Sequence, residues 1–258
     1  MKPVSSDEPA ILVKGLAAGY DEKLIFERLT FRVEKGELFV ILGGSGCGKS
    51  TLLRLLIGLK SPTAGRILVN GVDITTADEM AMNGVRTGIG VLFQSGALFG
   101  SMTLAENVAL PLQEYTDLSS GAIDRIVAMK LAMVNLAGHE NHYPSELSGG
   151  MVKRAGLARA MALDPSILFF DEPSAGLDPI TAAELDQLIK DLNRGLGTTV
   201  VVVTHDLESI MSIADRVIML EAEKKGILAE GDPRELKEFS SDPIVQSFFN
   251  RTPLKTIL

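Results

Sequence analysis

Leu38–Thr51 reads LFVILGGSGCGKST, and this stretch decides the fold. Leu38 to Leu42 is an unbroken apolar run, the pattern of a strand buried on both faces. A glycine loop follows, and then the apolar helical run TLLRLLIGL begins at Thr51. From Gly43 onward the loop fits G-x-x-x-x-G-K-[ST], a phosphate-binding pattern. Gly43, Gly44, Gly46 and Gly48 let the backbone approach a triphosphate and turn its N–H groups inward, with Ser45 and Cys47 between them. A helix opening near Lys49 adds the positive end of its dipole. Lys49 supplies a mobile charge for the β- and γ-phosphates. Ser50 offers a hydroxyl to Mg²⁺, and Thr51 completes the motif. Cys47 is read as a small residue in the loop and not as a redox group.

Two further apolar runs end in chemistry. SILFFDEP places Asp171 and Glu172 after a strand, and GTTVVVVTHD places His205 after another. Short apolar runs alternating with helical sequence predict an α/β fold with a mostly parallel sheet. In such sheets functional groups collect at the carboxyl ends of strands, so Gly43, Asp171, Glu172 and His205 are expected in one crevice. Asp171 suits Mg²⁺, directly or through water. Glu172 is placed to orient or deprotonate an attacking water. His205 contacts the γ-phosphate or holds that water, and Asp206 reads as a helix N-cap. Gln94, in GVLFQSGALF, completes a Mg²⁺ shell or senses the γ-phosphate.

The flanks have a different texture. ILVKGLAAGY and LTFRVEKGE predict an N-terminal antiparallel β subdomain. From about 100 to 165 the sequence reads as an inserted helical subdomain. A hairpin is expected to turn at Lys225–Gly226, followed by one last helix over about 233–250. Residues 10–250 then form a single domain, with loose tails at 1–9 and 251–258.

The balance of charge limits the partners. With a net charge of −8 over 258 residues the chain lacks the basic character of a nucleic-acid binder. A lone cysteine suits a reducing compartment. MKPVSSDEP has no apolar core for a secretion signal, and no apolar run approaches the roughly 20 residues of a membrane span. A cytoplasmic chain is expected, with any membrane role exercised through a partner.

LSGGMVKRAGLARA, Leu147–Ala160, opens a helix with two poor helix formers. Ser148 is a good N-cap, and Gly149 and Gly150 bare the backbone N–H groups. This is a second anion site built like the first. Two such helix starts in one chain point to two copies sharing each nucleotide. Lys153, Arg154 and Arg159 lie beyond the first turn and read as a solvated face.

Together Tyr20, GGSGCGKST, Gln94, LSGGM, ILFFDEP, SAGLD (Ser174–Asp178) and His205 resemble the ATP-binding cassette ATPases, in order and spacing, over nearly the whole chain. The resemblance implies a P-loop NTPase core that binds and hydrolyses ATP with Mg²⁺. It implies a head-to-tail dimer with a second copy. Tyr20 stacks on adenine, and Ser148, Gly149 and Gly150 touch the γ-phosphate held by the other copy. Asp178 lies across the seam, although it is also a good N-cap before Pro179. The helical insert and the Gln94 loop grip a membrane partner. Met151 departs from the usual glutamine, whose hydrogen bonds a thioether cannot make.

LSGGM with FQSGALFGSMTLAENVALPL, and the end DPIVQSFFNRTPL, is similar to the ATPases of the Mla and MCE-linked lipid transporters. That likeness implies a motor on the cytoplasmic face of a Gram-negative inner membrane. Its partners are a polytopic permease, an MCE-domain protein and a STAS-domain protein. It moves phospholipid between inner and outer membranes and touches lipid only through the permease. The alternative is the ATPase of an importer for a small polar solute. A cassette acting on DNA or the ribosome fits poorly, because the chain holds one cassette, no long heptad run and an acidic balance.

Overall fold

The computed structural model describes residues 8–20 and 23–253. In chain order the elements begin with strands β1 (Ile11–Tyr20), β2 (Lys23–Val33) and β3 (Leu38–Gly43), helix α1 (Lys49–Leu56), and strands β4 (Ala64–Val69) and β5 (Val72–Asp73). Then come α2 (Glu79–Gly88), β6 (Ile89–Leu92), α3 (Leu104–Tyr115), α4 (Ser120–Met133), α5 (Gly149–Ala160), β7 (Ile167–Asp171) and α6 (Pro179–Leu196). The chain closes with β8 (Thr199–Val203), α7 (Leu207–Ile213), β9 (Arg216–Glu221), β10 (Gly226–Gly231), α8 (Pro233–Phe239) and α9 (Pro243–Asn250). Two compact units result: Met1–Ala77 with Val202–Leu258, and Asp78–Val201. The fold class is α/β, as the sequence predicts.

The first unit carries the phosphate loop. Its antiparallel sheet has the order β2-β1-β4-β5. Ile11 pairs with Val33 on one side and Val69 on the other, and all three are fully buried. Alternation along β1 breaks after Val13, where Gly15 takes φ 57° and its N–H donates to Thr30 Oγ1 at 2.9 Å. Every residue of β3 is buried. β3 runs parallel to β9, Val40 facing Val217, and β9 pairs with β10 in the expected hairpin. Arg216, at the start of β9, donates to both Glu37 carboxylate oxygens and to Arg32 O, pairs with Glu230, and lies 4.8 Å over the Phe39 ring. One guanidinium, which is never deprotonated, therefore pins β2, β3, β9 and β10 together.

The second unit contains the expected helices. β6 and β7 are parallel, Gly90 facing Leu168. α5 lies almost in backbone contact with β6: a Cβ on Gly90 would come within 2.1 Å of Ala160 O. A Cβ on Gly156 would meet Leu92 Cδ1 at 2.7 Å and Gly96 O at 2.9 Å. α6 is framed by standard signals, Asp178 as N-cap with Pro179 after it, and Gly197 at φ 66° as C-cap. β8 is fully buried.

Three features differ from the sequence reading. The helix expected over 233–250 is two helices, broken before Pro243. The residue preceding a proline is driven out of helical backbone, and Asp242 uses that to cap α9, accepting from Ile244 N at 2.8 Å. β4, β5 and α2 were not anticipated. β4 has only two buried side chains, Ile67 and Val69, too few for a periodic signal. At the end of α9, Arg251 N and Thr252 N bond to Phe248 O and Ser247 O. Of the expected loose tails, 1–7 and 254–258 lie outside the described residues.

Candidate functional site

The predicted site residues divide between the two units. Tyr20, Gly43 to Thr51 and His205 belong to the first; Gln94, Ser148 to Gly150, Asp171, Glu172 and Asp178 belong to the second.

In the first unit the loop grows from the buried end of β3. Gly43 has φ 148°, and a Cβ there would lie 2.5 Å from Leu220 O. Gly48 has φ 102°, and its Cβ would strike Ile25 Cγ2 at 2.5 Å and Phe26 Cζ at 2.6 Å. Both glycines are thus demanded by the chain's own packing. Gly44 and Gly46 are exposed, with nothing within 4 Å of an added Cβ. That open side is where a phosphate chain has room to lie against bare backbone. α1 starts from Gly48 with no side-chain cap, so its first N–H groups are offered to an anion. Lys49 Nζ donates to Gly43 O at 2.9 Å and Gly44 O at 3.1 Å. The ammonium is parked on loop carbonyls, weak partners that a phosphate outcompetes. Ser50 is exposed. Cys47 is 3% exposed and burial pushes its thiol pKa up, which suits a packing role.

Tyr20, at the end of β1, presents a ring that is 44% exposed. A hydrogen bond to Thr51 lowers its hydroxyl pKa, so the ring is held beside α1. Lys60 Nζ lies 4.0 Å from the ring centroid, a cation on one aromatic face. His205 is exposed just beyond β8. Its predecessor Thr204 donates to Ile41 O at 3.2 Å, fixing the histidine's backbone to the strand that feeds the loop. Asp206 caps α7, accepting from Glu208 N at 3.0 Å.

In the second unit Asp171 ends β7, and Glu172 follows with φ 47°. A left-handed backbone is uncommon for a residue with a Cβ and is held only where the surroundings enforce it. Glu172 O accepts from Ala175 N at 3.2 Å and from Lys153 Nζ at 3.4 Å. Lys153 also donates to Gln94 O. Ser148 caps α5, its hydroxyl accepting from Met151 N at 3.3 Å, a bond that the Met151 side chain does not enter. Gly150 packs on α6, where an added Cβ would come within 2.5 Å of Thr181 Cγ2. At Gly149 an added Cβ would meet Leu177 Cδ2 at 3.6 Å, an ordinary contact, so nothing in the packing forbids a side chain there. Asp178 uses both carboxylate oxygens as a cap: Oδ1 accepts from Ile180 N and Thr181 N at 3.1 Å, and Oδ2 from Thr181 Oγ1 at 2.5 Å. Those bonds, Thr181 first, lower its pKa.

The solvated face expected for the basic residues of α5 is overturned. Lys153 is only 5% exposed. Arg159 donates to Ala97 O at 2.7 Å and Gly96 O at 3.3 Å, and Arg154 to Glu184 at 2.6 Å. The signal was in the spacing: Gly156 and Leu157 stand three and four residues after Lys153, on one helix face, and both are buried. Asn107 was also missed. It is fully buried and holds the loop before α3, accepting from Phe99 N at 2.8 Å and donating to Phe99 O, Met102 O and Thr103 O.

The ABC transporter family model matches residues 26–175, more than half of the chain. The chain belongs to the ABC transporter family. It is an ATP-hydrolysing cassette of that family. A relative from Mycobacterium leprae, named a probable ribonucleotide transport ATP-binding protein, is 46% identical over 93% of this chain and 69% of its own length. The corresponding Mycobacterium tuberculosis protein is spanned over 66% of its length. The intermembrane phospholipid transport system ATP-binding protein MlaF of Haemophilus influenzae is 44% identical over 92% of this chain and 89% of its own length. Among solved structures, an ATP-binding cassette caught as a dimer in a post-hydrolysis state with ADP and Pi superposes with a TM-score of 0.78. It is 32% identical, over 86% of this chain and 98% of that one. No helix among the described residues is long and apolar enough to cross a membrane.

Proposed function

We propose that this chain is the cytoplasmic motor of a phospholipid transporter, peripheral on the inner membrane, working as a head-to-tail dimer against a polytopic permease. The observation that carries the cargo is the 44% identity to MlaF over 92% of this chain and 89% of that protein. MCE-domain and STAS-domain partners belong to the same reading. The mycobacterial relatives support a second one, transport of a polar solute, through their printed name.

In the proposed reaction the loop backbone and the start of α1 hold the phosphates. Lys49 leaves the carbonyls of Gly43 and Gly44 for the β- and γ-phosphate oxygens. Ser50, Asp171 and Gln94 would hold Mg²⁺, which neutralises developing charge on the phosphates. Glu172 takes the proton of the attacking water, its carboxylate aimed by the left-handed backbone. His205 steadies the γ-phosphate. Tyr20 stacks on adenine, which displaces Lys60 or uses the opposite face of the ring. Ser148, Gly149 and Gly150 complete the phosphate shell of the other copy, while Asp178 shapes the seam from its capping position.

The test is Glu172→Gln in the tagged chain, extracted from native membranes in mild detergent. ATP binding is expected to persist, and turnover to fall by on the order of 10² or more. Near-normal turnover removes Glu172 from the base role. Mass spectrometry of the trapped complex decides the cargo. An MCE-domain protein with phospholipid supports the lipid reading; a solute-binding protein replaces it with the second one.

A further inference from the structure

Of the basic side chains on α5, Lys153 has the least explained position. Burying an ammonium is costly unless hydrogen bonds and opposite charge offset the lost water. Lys153 is nonetheless 5% exposed, and two of its donors are spent on main-chain carbonyls far apart in sequence, Gln94 O and Glu172 O. Desolvation lowers its pKa, while the Asp171 and Glu172 carboxylates oppose that and favour the charged form.

Both carbonyls sit at points where the backbone needs holding. Gln94 follows β6 and begins an irregular segment that runs to Thr103. Glu172 is left-handed at φ 47°. An ion-assisted hydrogen bond to a strained peptide fixes the direction of its side chain more tightly than packing alone. Arg159, on the same helix, anchors Gly96 and Ala97. Within one turn of Lys153 on the same helix lie Gly149 and Gly150. One helix therefore links the second phosphate-binding start, the Gln94 segment and the Glu172 turn.

We propose that Lys153 is a positioning residue for hydrolysis: its buried ammonium ties the Gln94 carbonyl to the Glu172 carbonyl, so that the two segments hold one alignment. It touches neither nucleotide nor water. The inference rests on Glu172 as the base. Its requirement is two N–H donors at the end of a stem, not charge alone.

That requirement separates two substitutions. Lys153→Met keeps the stem and removes every donor; Lys153→Gln keeps two N–H donors. In the full chain extracted with its membrane partners, Lys153→Met is expected to lower kcat by about tenfold, with KM for ATP within about twofold, as for loss of alignment without loss of binding. Amide hydrogen exchange is expected to speed up at 94–97 and 172–175, and Lys153→Gln to restore turnover to within about threefold of the parent. Parent turnover and parent exchange in Lys153→Met overturn the proposal. So does a glutamine variant as slow as the methionine one at equal melting temperature, since two N–H donors would then not suffice. If Lys153→Met does not fold, the glutamine variant decides alone: near-parent turnover with protected loops supports the tie, and turnover below about a tenth in a folded chain sinks it. Glu172→Gln, assayed beside them, tests the base reading separately, and the exchange data judge the tie whatever that variant shows.

Discussion

The proposed function assigns phosphate to two helix starts, and they are built in opposite ways. α1 begins at Gly48 in a left-handed conformation, with no side-chain cap and a cramped floor of Ile25 and Phe26. α5 begins at Ser148, which caps its own helix, and at Gly149, the residue that follows, a Cβ would fit with Leu177 Cδ2 at 3.6 Å. At the first start the glycine is imposed by the chain that carries it, and the backbone donors are left open. At the second the cap is already satisfied, and the chain has no packing use for Gly149. Glycine costs roughly 1 kcal/mol relative to alanine in a helix interior, and less at Gly149, the first position of α5. In the proposed reading, the bare backbone at Gly149 serves the phosphate held by the other copy. The comparison accounts for LSGGM better than helix propensity does.

The sharpest way to break this contrast is Lys49→Ala. Hydrogen bonds to charged groups contribute roughly 1.5–3 kcal/mol each, so losing an ammonium shared between two phosphates should weaken ATP binding by about 10²-fold. Calorimetric titration measures it; unchanged affinity would dismantle the first anion site. Gly48→Ala is next. A Cβ forced against Ile25 and Phe26 at φ 102° should destabilise the fold by about 3 kcal/mol, read as a lower denaturation midpoint. A neutral result would mean that the loop floor yields.

Gly149→Ala should do the reverse. Melting should hold or rise, by up to about 1 kcal/mol of added helix stability, and ATP affinity of the single chain should not change, yet turnover of the assembled complex should drop. Lower stability with normal turnover would return Gly149 to an ordinary structural role. The smallest effect concerns Cys47, whose thiol pKa burial pushes up. A raised folded-state value favours the neutral thiol, so its contribution to stability is full below the ordinary thiol range and lost as pH climbs through the raised one. Alkylation at neutral pH, followed by mass spectrometry, should be slow and quicken only in alkaline buffer. Rapid labelling near neutrality would place Cys47 in water instead of under the loop.

Several features were legible in sequence because each rests on local rules. Continuous apolar runs become buried strands, a proline with aspartate before it starts a helix, and the glycine loop has one chemical use at that spacing. Asp178 as a cap could be read from Asp-Pro alone, and the left-handed Lys225 at φ 48° lies in the hairpin turn expected there. Other features failed for want of a local signal. β4 buries too little to show a period. Lys153 and Arg159 resembled a solvated face because residue type favours water, and only the approach of α5 to β6 denies it.

The sequence by itself determined the α/β class, the glycine loop with Lys49 and Ser50, and the placement of Asp171, Glu172 and His205 at or just beyond the ends of strands. These follow from periodicity, steric freedom and the chemistry of phosphate, all of which act within a few residues. Tertiary structure decided that Gly48 and Gly150 are packed while Gly149 is not. It decided that Glu172 has a left-handed backbone, that Asn107 shapes the segment before α3, and that a lysine on α5 reaches both Gln94 and Glu172. Those facts depend on which small residues let two elements touch, and that distance is fixed only when the whole unit has closed.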